Sequence, residues 1–501
     1  MAMRAGSAVV AVLAVLCVAG SAAGAAGTGW HVTPIARLGS RLGEVRGAAV
    51  NRFGTSVVVF SSGHSLSVAR RTANGSGFNI VGRVSERWPL LVGLTALANG
   101  RFLLVYAAQR RLVARGIGAG GRFRGRPHVL ASGWTMPTGS FLFPPSPSVV
   151  VVGSDSSRAV VVWGVTAGRT EEVKGAIVGR TGWSSSKVFY KTQSSKAGYR
   201  VLVASDAQDR FLVSLHEANG GTTARMWGLA GGSQQWERVT PPQVADGSLI
   251  ASSNGATVAS VNGSITAAWQ DASAALVVST WNGSTWTPPV TAIAGTHGAS
   301  GFPVAIYPVF VSDGSRAALV WSEPSPDFRG PVAATIRSSP GASWSAPLVF
   351  PHSHSAYWLP FATTIDTFWF TETGALAGFW TGDGITADPG TSSAEVAGLY
   401  VGYVGAEGTS AKALSQTQGS GSNWFALASA DDLHTILWEN GNGKQFSAAV
   451  TQDGTVGPSE RLHLCSWAYS SASNPDASAQ LLIGGVHLRR NRLACSPVLL
   501  W

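Results

Sequence analysis

The sequence predicts an all-β chain: a single β-propeller of four-stranded antiparallel blades, eight in number with nine also allowed, closed by an N-terminal strand. Three observations carry this reading. A short apolar strand ending in an aromatic residue recurs along the chain. Hairpin turns of the Asn-Gly and Asp-Gly type precede it. The composition, with 61 glycines and only 12% charged residues, suits strands and tight turns rather than helices.

The recurring strand reads Val57-Val58-Val59-Phe60, Leu103-Leu104-Val105-Tyr106, Val160-Val161-Val162-Trp163, Thr266-Ala267-Ala268-Trp269, Ala318-Leu319-Val320-Trp321 and Thr435-Ile436-Leu437-Trp438. Weaker copies begin at Leu212, Leu376 and Leu481. Starts fall roughly 45 to 60 residues apart, the spacing of blade-type repeats. Such near-continuous apolarity marks a strand buried on both faces. Before it comes a strand joined through Ala98-Asn99-Gly100, Asn262-Gly263-Ser264 or Asp313-Gly314-Ser315. In these turns glycine supplies positive φ. After it comes a third strand that often ends in arginine, as at Arg70, Arg115 and Arg337. A glycine-rich turn then leads to a fourth strand opening on Phe78, Phe123, Trp286 or Trp344, with proline soon after, as at Pro288 and Pro347. Proline has no N–H for a ladder, so it belongs on an outer edge. Four such strands make a propeller blade.

Two remnants fall outside the complete units. Trp30 to Leu38 resembles a fourth strand with no blade before it, and Trp467 to Cys495 resembles a blade short of its fourth strand. Pairing the first with the second closes a ring and removes exposed edges. The competing architecture, two consecutive β-sandwiches, conflicts with the single unit type and with the absence of a linker tract.

Residues 1–25 read as a secretory signal: Arg4, an apolar core from Ala8 to Val18, and Ala23-Gly24-Ala25 as an A-x-A-type cleavage site. The core is too short to span a bilayer. Residues 26–501 are then the propeller domain. Cys17 follows a bulky Leu16, which disfavours a lipoprotein without deciding the point. A secreted, extracellular protein with two remaining cysteines is expected to pair them, Cys465 with Cys495, pinning the closing blade. No transmembrane segment is expected after signal removal, and the chain is expected to be monomeric.

The turn before the fourth strand resembles the Asp-box, Ser-x-Asp-x-Gly-x-x-Trp, of sialidase-like (BNR-like) propellers. Ser279 to Trp286 keeps Ser279, Gly283 and Trp286 but has Trp281 in the aspartate place; Arg337 to Trp344 keeps Gly341 and Trp344. The resemblance implies a propeller of this repeat type, and scarce lysine beside abundant alanine, glycine and arginine points by composition to a GC-rich bacterial genome. The sialidase Phe/Tyr-Arg-Ile-Pro motif has no counterpart, since Gly301-Phe302-Pro303-Val304 does not match it, so no catalytic residue is carried over.

Four constellations remain. Acidic residues follow the second strand at Glu217, Asp271, Glu323, Asp383 and Glu439. Converging near an axis, they suit cation binding or the acid and base of a glycoside hydrolase or polysaccharide lyase; singly, they are ordinary turn residues. His352-Ser353-His354 offers two metal ligands on one strand face but no third, so no cofactor is expected. The second unit is basic. Its Arg122, Arg124 and Arg126 alternate as if sharing a face, and Arg489, Arg490 and Arg492 cluster near the C-terminus. Such clusters suit an anionic polymer or simply a solvated rim. Aromatics at blade ends, with Trp134, Trp358, Trp424 and Trp467 as candidates, could stack on sugars if exposed, while most of the 19 tryptophans are better explained by packing between blades. The expected function is a non-catalytic extracellular binding or scaffold propeller, its partner a polysaccharide or an extracellular protein and not nucleic acid. The alternative is the glycoside-active enzyme.

Overall fold

The structure is a computed structural model. It describes residues 33–34, 45–62, 64–72, 77–87, 89–134, 149–153, 158–167, 170–179, 182–192, 199–217, 224–242, 257–271, 275–294, 308–322, 331–353, 368–382, 397–417, 425–430, 433–439, 445–462, 469–473, 480–484 and 498–500. These residues form strands and no helix. None of the described residues belongs to a helix long and apolar enough to cross a membrane.

Nine antiparallel sheets are formed among the described residues. Blade 1 consists of Val45–Val50, Ser56–Ser62, Ser65–Arg71 and Asn79–Val84. Blade 2 consists of Leu90–Ala96, Phe102–Ala108, Arg111–Ile117 and Phe123–Ser132. Blades 3 to 8 follow over 149–192, 199–239, 257–293, 309–349, 368–417 and 425–462, each with its strands in chain order. In blade 3 the outer position is shared by two short strands, Gly182–Trp183 and Lys187–Thr192.

The sequence left a ninth unit incomplete, and it forms a sheet of its own. Tyr469–Ser473, Gln480–Gly484 and Val498–Leu500 are its first three strands, and Thr33–Pro34 from the N-terminus pairs with Val498 and Leu499 as the fourth. The expected closing strand is therefore in place. Val45–Val50 of blade 1 lies against Tyr469–Ser473 of blade 9, so the last sheet returns to the first.

The core is a series of separate layers between neighbouring sheets. Side chains alternate across a strand, and here each alternate set serves a different neighbour. Phe102, Leu104 and Tyr106 pack on blade 1, whereas Leu103 and Val105 pack on blade 3. Val161 and Trp163 pack on blade 2, whereas Val160 and Val162 pack on blade 4. This is why the second strand has no polar face. Its terminal aromatics Phe60, Tyr106, Trp163, Trp269, Trp321 and Trp438 are all fully or almost fully buried. Each large apolar side chain buried in this way contributes roughly 1.5–3 kcal/mol.

Successive connections emerge at opposite ends of a blade. The turns after the first and third strands lie at one end, here called the turn end. The connections after the second and fourth strands lie at the other, the loop end. Asn262 and Gly263, with φ of 50° and 71°, make the two-residue turn of blade 5 that its Asn-Gly sequence predicts.

Candidate functional site

Of the five predicted carboxylates, only the Asp271 side chain falls among the described residues. Its Oδ1 accepts the Ala275 N–H at 2.9 Å, and its own N–H donates to the Ala275 carbonyl at 2.9 Å, so it closes the loop-end turn of blade 5. Glu217 and Glu439 are the last residues of second strands in blades 4 and 8, their side chains not described. Glu323 and Asp383 lie outside the described residues. So do His354, Cys465, Cys495, the cluster Arg489, Arg490 and Arg492, and Trp358, Trp424 and Trp467. His352 stacks on Tyr400, with ring centroids 5.3 Å apart. Among the described residues no three His, Cys, Asp or Glu side chains gather as metal ligands would. The expectation for Trp134 is corrected: it is buried between blades 2 and 3, and its Nε1 donates to the Gly164 carbonyl at 2.9 Å.

The second unit is basic, and the segment that carries three of its arginines is irregular. Opposite Gly116 stands Arg124, yet opposite Ala114 stands His128, so the fourth strand of blade 2 bulges around Gly125, whose φ is +67°. Gly125, Arg126 and Pro127 stand against Arg115 alone, two residues more than a regular ladder holds. Arg122, Arg124 and Arg126 are all exposed, with Arg122 and Arg124 near the turn end and Arg126 within the bulge. The remaining arginines divide between the two ends. Arg52, Arg70, Arg101 and Arg115 belong to the turn end, and Arg110 and Arg111 to the loop end.

At the turn end the blades are tied to one another by polar side chains. Asn51 Nδ2 donates to the Gly100 carbonyl at 2.7 Å, linking blades 1 and 2. From blade 3, Arg158 donates to Asp209 Oδ2 at 2.8 Å and to the Asp209 carbonyl at 3.2 Å, both in blade 4. It also donates to the carbonyl of Ser233. Arg210 of blade 4 donates to the Asn282 carbonyl of blade 5, and its guanidinium lies 5.7 Å from the Trp281 ring centroid. Arg316 of blade 6 lies over Phe370 of blade 7 at 5.0 Å. The device recurs: an arginine opening the second strand reaches across to the next blade. In sequence the only trace of this device is an arginine just after the first turn, at 158, 210 and 316.

Carboxylates brace the same turns. Asp206 accepts the N–H groups of Gln208 and Arg210 at 3.0 and 2.9 Å. Asp313 does likewise for Ser315 and Arg316 at 3.0 and 2.7 Å, and also accepts Arg316 Nε at 2.5 Å. Burial pushes the Asp313 carboxyl up, but the bonds from Arg316 and Ser315 outweigh it and leave the group below the usual carboxylate range. A carboxyl lowered on folding stabilises the fold above its unfolded value, about pH 3.9, and that stabilisation is lost as pH falls through the folded value. Thermal melts are expected to show the wild type losing Tm below about pH 4. Asp313→Asn should start lower at pH 6 and lose less on acidification; an unchanged acid slope would contradict the assignment.

In the Asp-box-like turn, Trp281 leaves the turn altogether and buries its ring against blade 4, where the absence of a side chain at Gly228 admits it. Asn282 takes over the turn, its Oδ1 accepting the N–H groups of Ser284 and Thr285 at 2.9 Å each. Ser279 Oγ donates to the Thr287 carbonyl at 2.7 Å. A cavity of about 250 Å³ lies at the turn end between blades 7 and 8, lined by Thr371, Tyr403, Glu407 and Asp453 among others.

The chain matches no protein-family model and no curated protein. It is similar in fold to solved structures. One is a prolyl endopeptidase, at 9% identity and a TM-score of 0.43, covering 88% of this chain and 54% of that one. This chain thus spans about half the length of that enzyme. Another is the BP39L lectin of Burkholderia pseudomallei, at 13% identity and a TM-score of 0.37, covering 83% of this chain and 98% of the lectin. A third is the β-propeller domain of the Trilobed protease of Pyrococcus furiosus, at 10% identity and a TM-score of 0.35, covering 74% and 97%.

Proposed function

We propose that the protein is exported, loses residues 1–25, and acts outside the cell as a non-catalytic binding propeller for a polysaccharide or a protein partner. The observation that carries this reading is the blade-to-blade tethering of the turn end. Asn51, Arg158 and Arg210 each reach a backbone carbonyl of the next blade. Surface turns held in this way are ordered before any ligand arrives, which reduces the entropy lost on binding. Asp271, the described member of the carboxylate set, is engaged with backbone in the manner of a turn residue.

The test is a panel of glycans and extracellular proteins, scored for binding and for turnover with wild type and Asp271→Asn. Binding without turnover is expected, unchanged in the variant because asparagine retains an Oδ1 acceptor for Ala275. Glycan cleavage abolished in Asp271→Asn would replace this reading with the glycoside-active one, and a panel with no binder would remove it.

A further inference from the structure

We infer that the turn end of blades 1 and 2 is a binding track for a linear acidic polysaccharide, an inference that rests on the extracellular binding role proposed above. Between residues 45 and 134 the chain has thirteen arginines, no lysine and a single acid, Glu86. Glu86 lies at the loop end, where it accepts the Tyr106 hydroxyl at 2.8 Å. The turn end of these two blades therefore has arginine and no carboxylate to neutralise it.

The arginines there are arranged from the inner turns outward. Arg52 and Arg101 stand exposed on the first turns of the two blades, which the Asn51–Gly100 bond holds together. Between them Phe53 is 55% exposed. Its ring lies under the Arg52 guanidinium at 4.9 Å and rests on Gly100, where an added Cβ would come within 2.8 Å of it. Farther out, Arg70 of blade 1 reaches the Gly120 carbonyl of blade 2 at 3.4 Å, beside exposed Arg122 and Arg124. Arg115 is turned inward over Phe123 at 3.9 Å.

The chemistry of this track selects its ligand. Guanidinium is a planar fork that matches carboxylate and sulfate with two parallel bonds, which a lysine cannot do. An exposed aromatic ring among such forks adds apolar contact area along a sugar. A single exposed ion pair contributes little, so a ligand gains affinity by engaging several arginines along its length, as a polymer does and a monosaccharide does not. Such binding weakens with salt, because exposed charges are screened within about 8 Å at physiological ionic strength.

The experiment uses the full mature chain with four probes: heparin as the sulfated chain, polygalacturonate as the uronate chain, dextran as the neutral chain and duplex DNA. Two double variants remove equal charge from opposite ends, Arg52→Gln with Arg101→Gln at the turn end and Arg110→Gln with Arg111→Gln at the loop end. The expected result is salt-sensitive binding to heparin or polygalacturonate and not to dextran. The turn-end variant should bind about tenfold more weakly or worse, and the loop-end variant nearly as wild type. Equal weakening in both variants would reduce the effect to net charge and overturn the track. DNA bound as tightly, with the same loss in the turn-end variant, would overturn the polysaccharide assignment. Binding to dextran or to a protein partner without either polyanion would overturn the track while leaving the binding role intact.

Discussion

Replacing Trp281 by alanine is expected to destabilise the protein by about 3–5 kcal/mol, the range for emptying a buried tryptophan site. Trp281 is only 1% exposed and fills the layer between blades 4 and 5, its Cζ2 2.6 Å from where a Cβ would stand at Gly228. The same geometry gives the prediction a sharper form. Alone, Gly228→Ala drives a methyl group into the indole and should also destabilise. In the Trp281→Ala background only the 2.9 Å approach to Val239 Cγ2 remains and the methyl occupies part of the cavity, so the second substitution should cost much less than it does alone. Urea unfolding of the two single variants and the double variant measures this coupling; strict additivity would mean the two residues do not touch.

Breaking the Arg158–Asp209 pair is the other large effect expected. The two side chains are 10% and 14% exposed, and their N–O distance is 2.8 Å. Forming a buried pair gains little over an apolar substitute, but removing one partner leaves the other charge stranded in a poorly solvated place. Asp209→Asn, which tolerates the φ of 62° at this position better than alanine would, should cost about 3 kcal/mol. Arg158→Met also removes the donors to the carbonyls of Asp209 and Ser233. Combining the two should therefore recover only part of the loss. A double variant as unstable as the sum of the singles would show that the charge pairing itself is irrelevant.

Both residues illustrate what was legible in the sequence and what was not. Trp281 was visible as the residue standing where an Asp-box has its aspartate. Its destination was not visible, because the partner that admits it, Gly228, is a glycine in a different repeat. Arg158 carries no mark of its partner in the sequence, since a strand-opening arginine looks the same whether it faces solvent or the next blade. The reading of Arg122, Arg124 and Arg126 as one face assumes an uninterrupted strand, and the ladder is interrupted between Arg124 and His128. Trp134 at a blade end suits either a platform or packing between blades, and the adjoining blade decides for packing.

The sequence by itself determined the repeat unit, its four strands and its turns. All of these are local: they follow from hydrophobic period, positive-φ glycines and proline placement, which act within a few residues. The tertiary structure alone decided which end of a blade each charge belongs to and which neighbour each side chain serves. Those properties depend on how one sheet is laid against the next, between residues some 50 to 75 positions apart, such as Asn51 with Gly100 or Arg158 with Ser233. Packing at that range leaves no periodic trace within a single strand. The thirteen arginines were therefore legible as a composition, and only the fold separated the turn-end track from the arginines at the opposite end.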